Sequence, residues 1–274
     1  MNSTSIEGYR DFLTRRDGEA DLLNRRLANR ERFFDQLEAN PVRSAHPVDQ
    51  ETFLRNLRRR RPEAGLDRKM LFLLATAKLN QAERFGVGLG ETYGRNSDKN
   101  LPPENVYIEL EEHYHTRLLA YALDVFGLTF QVAPPPFVMR QFVKTGVFIP
   151  ERLSFAFVGA GEMAGCIMFD ELRRAGRELF ADEPEVCERI ELLYREILTD
   201  EIGHVGYCAS RCTAGERAIM RRIYPFIGRL FARQTAEISL LIDPKVLNAR
   251  LDRPFDVDQL TTGLGNETYL VAHP

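Results

Sequence analysis

Apolar residues return at three- and four-residue intervals along most of this chain, the spacing of helices with one buried face. Phe12, Leu22, Leu23, Leu27, Phe33, Phe34 and Leu37 trace an amphipathic helix that Pro41 and His46-Pro47 end. A short helix follows Asp49, with Phe53, Leu54 and Leu57 turned inward, and it closes in Arg58-Arg59-Arg60-Arg61 before Pro62. A longer one is predicted over 67–93, with Asp67 as N-cap. Its broad apolar face is Met70, Leu71, Leu73, Leu74, Ala77, Leu79, Ala82 and Phe85. Pro102-Pro103 restart the chain, and the next helix covers 104–126, with Ile108, Leu118, Leu119, Ala122 and Leu123 inside and Gly127 as its stop.

A long connection over 128–150 contains Pro134-Pro135-Pro136, which no helix interior tolerates. A third long helix then runs from Pro150-Glu151 to Phe180. A fourth opens on Asp182-Glu183-Pro184-Glu185, a capping-box pattern, and continues through Ile190, Leu193, Ile197, His204 and Tyr207 to Cys212. A fifth spans 215–241, with a kink expected at Pro225. After Asp243-Pro244 the chain reads as an extended tail. The fold class is all-α: a four-helix bundle over 65–242, a helical extension over 1–64 packed on it, and a tail over 243–274, together one compact domain. The connection at 128–150 falls where such a bundle has its crossover between helical pairs.

Two stretches within this pattern carry chemistry. Glu111-Glu112-His113-Tyr114-His115 and Asp200-Glu201-Ile202-Gly203-His204 each contain Glu-x-x-His preceded by a second carboxylate. Residues three apart on a helix share a face, so each stretch offers one carboxylate and one imidazole to the same point. Partners on the neighbouring helices follow from depth. Glu83 lies ten residues before Tyr93 and Glu112 eight after Glu104, or about 15 and 12 Å from their connection. Glu162 lies nineteen residues before Ala181 and Glu201 seventeen after Pro184, or about 28 and 26 Å. Glu91 and Glu171 miss the matching depth. Six groups are therefore expected to converge: Glu83, Glu112, His115, Glu162, Glu201 and His204. Carboxylates with imidazole suit divalent iron or manganese.

The preceding acids are expected one shell out, Asp200 on His115 and Glu111 on His204, across the bundle. His113 is turned aside. Three glycines surround Glu162 in Gly159-Ala160-Gly161-Glu162-Met163-Ala164-Gly165-Cys166. At about 1 kcal/mol each relative to alanine they need a reason, either close helix approach or room for a small molecule. A substrate pocket lined by Gly159, Gly161, Gly165 and Cys166, with Phe155 and Phe157 nearby, is the functional reading. Cys208 and Cys212 share a stripe with His204 and are read as packing.

Composition removes several classes. A net charge of −3 over 274 residues predicts no bulk attraction to nucleic acid or membrane. No run of about 18 apolar residues suggests a span. The start has neither a basic nor an apolar leader region, and four cysteines do not form a disulfide framework. These features point to a reduced, cytoplasmic protein. The arginine run at 58–61 is read as a solvated helix end, or as a docking patch for an acidic partner such as a carrier protein.

The doubled motif resembles that of the ferritin-like non-haem di-iron carboxylate proteins, over about residues 66–213. It is most similar to the oxygen-activating branch, the multicomponent monooxygenases and acyl-carrier-protein desaturases. The resemblance implies a ferritin-like four-helix bundle with additional N- and C-terminal helices, two Fe ions, O2 as co-substrate and an external electron donor, since no flavin or iron–sulfur motif is present. It implies that Glu112 and Glu201 bridge the irons while Glu83 and Glu162 bind terminally. A small organic substrate and a redox partner protein follow from it, and a homodimer is left open. Leu119 stands where the ribonucleotide reductase small subunit has its radical tyrosine, and Trp is absent. Ile197 stands where arylamine N-oxygenases have an extra histidine. Ile202-Gly203 lack the arginine common in monooxygenases. The branch is thus expected without a particular member of it. An iron store, a peroxide scavenger and a metal-free binding module built on the arginine-rich N-terminal region are the alternatives.

Overall fold

Every regular element among the described residues of the computed structural model (6–17, 22–96, 103–131, 151–256 and 260) is a helix. These are α1 (Ile6–Asp17), α2 (Leu22–Ala39), α3 (Gln50–Leu57), α4 (Arg68–Asn96), α5 (Pro103–Asp124), α6 (Glu151–Leu179), α7 (Pro184–Ser210), α8 (Ala214–Gln234), α9 (Ala236–Leu241) and α10 (Pro244–Leu251). Their ends follow local chemistry. Asp49 accepts the Thr52 N–H at 2.7 Å and Asp67 the Met70 N–H at 2.6 Å, each satisfying a donor that the first turn leaves orphaned. Thr213 and Glu216 exchange side-chain and backbone bonds in a capping box at the start of α8. Past the end of α5, Gly127 takes a positive φ of 71°, and the Leu128 N–H reaches back to the Leu123 carbonyl at 3.2 Å.

Four long helices pack in a closed cycle: α4 on α5, α5 on α7, α7 on α6 and α6 on α4. α8 lies against α6, α9 against α4, and α1 against α7. One hydrophobic core runs through the cycle. Phe72, Phe126 and Phe180 stack edge to face or tilted at 5.3 and 4.8 Å, and the Tyr194 hydroxyl meets Thr76 Oγ1 at 2.7 Å inside it. This aromatic plug fills the interior two turns from Glu201.

Several boundaries differ from the sequence pattern. The N-terminal apolar stripe is carried by α1 and α2, and residues 18–21 between them lie outside the described residues. Glu183 does not cap α7 with its side chain. Its carboxylate is taken instead by Ser44 Oγ at 2.9 Å and by the Ala45 N–H at 2.7 Å. Pro225 lies inside a continuous α8, and the break falls at Thr235. Of the expected crossover at 128–150, residues 128–131 carry no helix and the rest lie outside the described residues. The arginines at 58–61 are exposed.

Residues 244–251 are helical rather than extended. Asp243 accepts the Lys245 N–H, Pro244 sits in the first turn, and Leu247 and Leu251 are buried one turn apart. α10 docks on α8 and α6. The close approach depends on Gly228, where a β-carbon would lie 2.6 Å from the Leu251 side chain. Arg250 reaches Asp170 at 2.8 Å and pairs with Glu171. One helical segment, Leu153–Leu179, is long and apolar enough to cross a membrane, and more than half of its apolar window is buried against the other helices.

Because Leu251 is fully buried, Leu251→Ala should cost about 2–4 kcal/mol of stability, as core truncations do. Urea denaturation measures it; a loss under about 1 kcal/mol would mean that α10 contributes little to the core.

Candidate metal centre

The helix cycle brings six acidic and imidazole side chains to one place. Oxygen and nitrogen atoms of Glu83, Glu112, His115 and Glu201 lie within 4.8 Å of one another, and so do those of Glu112, Glu162, Glu201 and His204. The two groups share Glu112 and Glu201. Each of α4, α5, α6 and α7 contributes: α4 and α6 one glutamate each, α5 and α7 a Glu-x-x-His pair each.

Both imidazoles are oriented from outside. The N–H at His115 Nε2 faces Asp200 Oδ2 at 3.3 Å, and that of His204 Nε2 faces Glu111 Oε2 at 3.0 Å. Each motif therefore supplies the outer acid for the histidine of the other. The inner nitrogens are left facing the glutamates. His115 Nδ1 is 3.2 Å from Glu83 and 3.1 Å from Glu201, and His204 Nδ1 is 3.3 Å from Glu112. Donors that share one ion through bonds of about 2.1 Å sit about 3 Å apart when adjacent, so these separations fit a common ion.

Two further observations test that fit. Glu201 Oε2 and His204 Nδ1 are buried and make no hydrogen bond among the described residues, although His204 Nδ1 lies near two carboxylates. Buried polar atoms are nearly always paired, so atoms of this kind point to a missing partner. Among the described residues, no lysine or arginine forms an ion pair with Glu83, Glu112, Glu162 or Glu201, whereas Asp170 and Glu171 of the same interior are paired with arginines. Glu171 is thus a structural acid. The side chain of Glu91 lies outside the described residues.

The electrostatics follow from crowding. Burial pushes the Glu201 carboxyl up to about 8; the Glu162 charge adds to the rise and the bond to His115 opposes it. Glu162 rises to about 7, through burial first and then the charge of Glu112. Burial, then Glu83, also raises Glu112. For both histidines burial opposes the charge, but the surrounding acids win: Asp200, Glu201 and Glu83 hold His115 well above an ordinary imidazole, and Glu111 and Glu112 do so for His204. Without a cation this centre retains protons.

The glycines around Glu162 divide. At Gly159 a β-carbon would meet Cys208 Cβ at 2.7 Å and Met220 at 2.7 Å, so this glycine serves the close approach of helices. At Gly165 the nearest described atom to a β-carbon would be Glu201 Oε2 at 3.9 Å, and at Gly161 no described atom lies within 4 Å of one. Cys166 is fully buried. Phe157 is exposed, and Phe155 packs on Tyr207. Cys208 and Cys212 are buried free thiols and are in neither ligand group. A surface cleft lined by Leu37, Tyr121, Asp124, Phe130 and Arg189 lies at the far end of α5, about 18 Å along the helix from Glu112.

One residue escapes the sequence pattern altogether. Arg30 of α2 is buried and donates from both terminal nitrogens to Asp200, at 2.8 Å to each oxygen, and at 2.6 Å to Glu111 Oε1. A signal for it exists: Leu27, Arg30, Phe34 and Leu37 follow helical spacing, so Arg30 occupies a position where the stripe calls for an apolar residue.

No family model matches this chain, and no curated protein or solved structure matches it significantly.

The raised groups fix the sign of a pH dependence. In the metal-free protein Glu162 and Glu201 hold protons up to about 7 and 8. Their contribution to stability is present below the ordinary carboxylate range and is lost as pH rises through those values. The raised histidines act in the same direction, losing stability as pH rises through their folded values. A bound cation replaces these protons, so the gain in melting temperature on adding Mn2+ or Fe2+ should grow from pH 5.5 to pH 8.5. Calorimetry with and without metal checks this; a gain that shrinks over that range would contradict the assignment.

Proposed function

We propose that the protein is an oxygen-activating di-iron oxidase of a small organic substrate, built on a ferritin-like arrangement of α4 to α7. The observation that carries the reading is a pair of four-ligand groups that share two glutamates deep between four helices. A lone glutamate on each of two helices and a Glu-x-x-His on each of the other two is the ligand set of dinuclear carboxylate bundles. Glu112 and Glu201 would bridge, Glu83 and His115 would complete one position, and Glu162 and His204 the other. Four carboxylates against two dications leave the inner set neutral, and oxygen-rich donors with one imidazole per ion favour iron or manganese over zinc.

A ferrous pair supplies reducing equivalents for O2 and the oxidant derived from it. The chain's own residues hold the donors in place, orient both imidazoles through Asp200 and Glu111, and keep the histidine side dry. For hydroxylation the balance is one oxygen atom to substrate and one to water, with two electrons and two protons supplied from outside. That requires a reductant, which a redox partner protein delivers. No described atom lies within 4 Å of a β-carbon at Gly161, on the helix that carries Glu162, and substrate would approach from this side.

Protein expressed with iron should contain about two irons per chain, as dinuclear sites do. Glu112→Ala and Glu201→Ala should each empty both positions, since each removes a shared donor, whereas Glu171→Ala should retain two irons. Metal analysis, with oxygen uptake in the presence of a chemical reductant, reads both. One zinc held by Cys208 and Cys212 would sink the assignment, and accumulation of many irons per chain would favour a store.

A further inference from the structure

Arg30 has a geometry that bulk charge neutralisation does not require. Its guanidinium grips Asp200 with two parallel bonds of 2.8 Å and adds a third of 2.6 Å to Glu111. These are the two acids that face the outer nitrogens of His115 and His204. The side chain of Arg30 is 1% exposed and those of Asp200 and Glu111 are 0% and 2% exposed, so water does not compete. A planar fork with fixed donor directions sets where a carboxylate sits, which a diffuse charge would not.

The fork is itself held. One turn along α2, Phe34 stacks on Tyr114 at 5.6 Å and on Tyr121 at 5.5 Å of α5, and the Arg117 guanidinium covers its ring at 3.6 Å. Phe33 and Leu37 are buried beside it. α2 is thus fixed to the helix that carries Glu111 and His115, and Arg30 projects from it toward the acid of α7.

We propose that Arg30 is a positioning residue for both metal-facing histidines: one guanidinium from α2 holds Asp200 and Glu111 against their outer nitrogens, so both ion positions depend on a side chain outside the four ligand helices. This rests on the dinuclear reading above. Removing the guanidinium frees two acids to turn away from the imidazoles, and each imidazole then loses its orientation and some basicity toward the ion. Because one residue serves both acids, the two positions should weaken together.

The test is a Co2+ titration of the metal-free full-length protein, followed by ligand-field absorption. The wild type should bind two Co2+ per chain. Arg30→Met should weaken both positions by roughly 10–100-fold, the usual effect of disturbing an outer partner. Arg30→Lys keeps the charge without the fork and should recover part of the loss. In an Asp200→Asn, Glu111→Gln background, adding Arg30→Met should change affinity by no more than about twofold, since its route to the histidines is already cut. If Arg30→Met lowers the melting temperature yet binds two Co2+ as the wild type does, Arg30 is only structural and the proposal is overturned; loss at one position alone also overturns it. Should Arg30→Met fail to fold, Arg30→Gln carries the same comparison, and wild-type affinity there is equally fatal. A wild type that binds fewer than two Co2+ brings down the dinuclear reading and this proposal with it, whereas two Co2+ in the wild type with unaffected Arg30 variants brings down this proposal alone.

Discussion

Carboxylates crowded into a dry interior repel one another, and four of them meet between α4, α5, α6 and α7. At an effective dielectric near 20, each pair of unit charges about 4 Å apart costs on the order of 4 kcal/mol. Protons relieve this in the metal-free protein, which is why Glu162 and Glu201 hold theirs up to about 7 and 8. The alternative relief is arginine, and the chain uses it elsewhere. Asp170 is buried one to two turns from Glu162 and Gly165 along α6, and it is met by Arg173, Arg174 and Arg250. The contrast within one helix is informative. An acid meant for structure is given its cation by the sequence, whereas Glu162 has glycines around it. Breaking a buried ion pair costs about 3–5 kcal/mol, so the two acids of this helix sit in very different electrostatic surroundings.

The rest of the chain can be understood as what keeps such a centre in place. Close approach of α6 to α7 and α8 relies on Gly159 and Gly176, where a β-carbon would lie 2.7 Å from Cys208 and 2.9 Å from Ile190. α10 is tied to the far half of α6 through Arg250 and to α8 through Leu251, which lies against Gly228. On the histidine side, α1 and α2 close over the outer acids. Tyr9 and Leu13 join Tyr107 and Tyr207 in a small separate cluster there, and Phe33, Phe34 and Leu37 extend the main core. The N-terminal helices therefore exclude water where the imidazoles need stable partners, and leave Glu83 and Glu112 slightly exposed, at 12% and 13%.

The all-helical architecture and the meeting of the six side chains were legible because both rest on regular repeats. Helical spacing places Glu112 and His115, or Glu201 and His204, on one face, and distance along antiparallel helices selects Glu83 and Glu162 without reference to side-chain detail. What escaped rests on competition for single groups. Asp182-Glu183-Pro184-Glu185 reads as a capping box, but Glu183 stands at the N-cap and its carboxylate is taken by Ser44 and Ala45, far away in sequence. The helix over 244–251 was hidden because it buries only two leucines, and one of them, Leu251, fits against Gly228. Gly159 and Gly161 looked alike in sequence; only their neighbours tell them apart. Arg30 was passed over because an arginine in an apolar stripe carries no motif.

Arg30 also answers a question posed by the motifs themselves. Neither Glu-x-x-His segment of this chain contains an arginine, since the intervening residues are His113-Tyr114 and Ile202-Gly203. The outer acids nevertheless need a cation, because Glu111 and Asp200 are buried side by side and burial with the Asp200 charge pushes Glu111 up to about 7 even with Arg30 present. Placing an arginine in each motif would serve each acid separately. A single arginine on α2 reaches both, one turn from the Phe34 that stacks on Tyr114 of α5. The two motif halves, related by their matching sequence and crossed histidine partners, converge on a residue that belongs to neither.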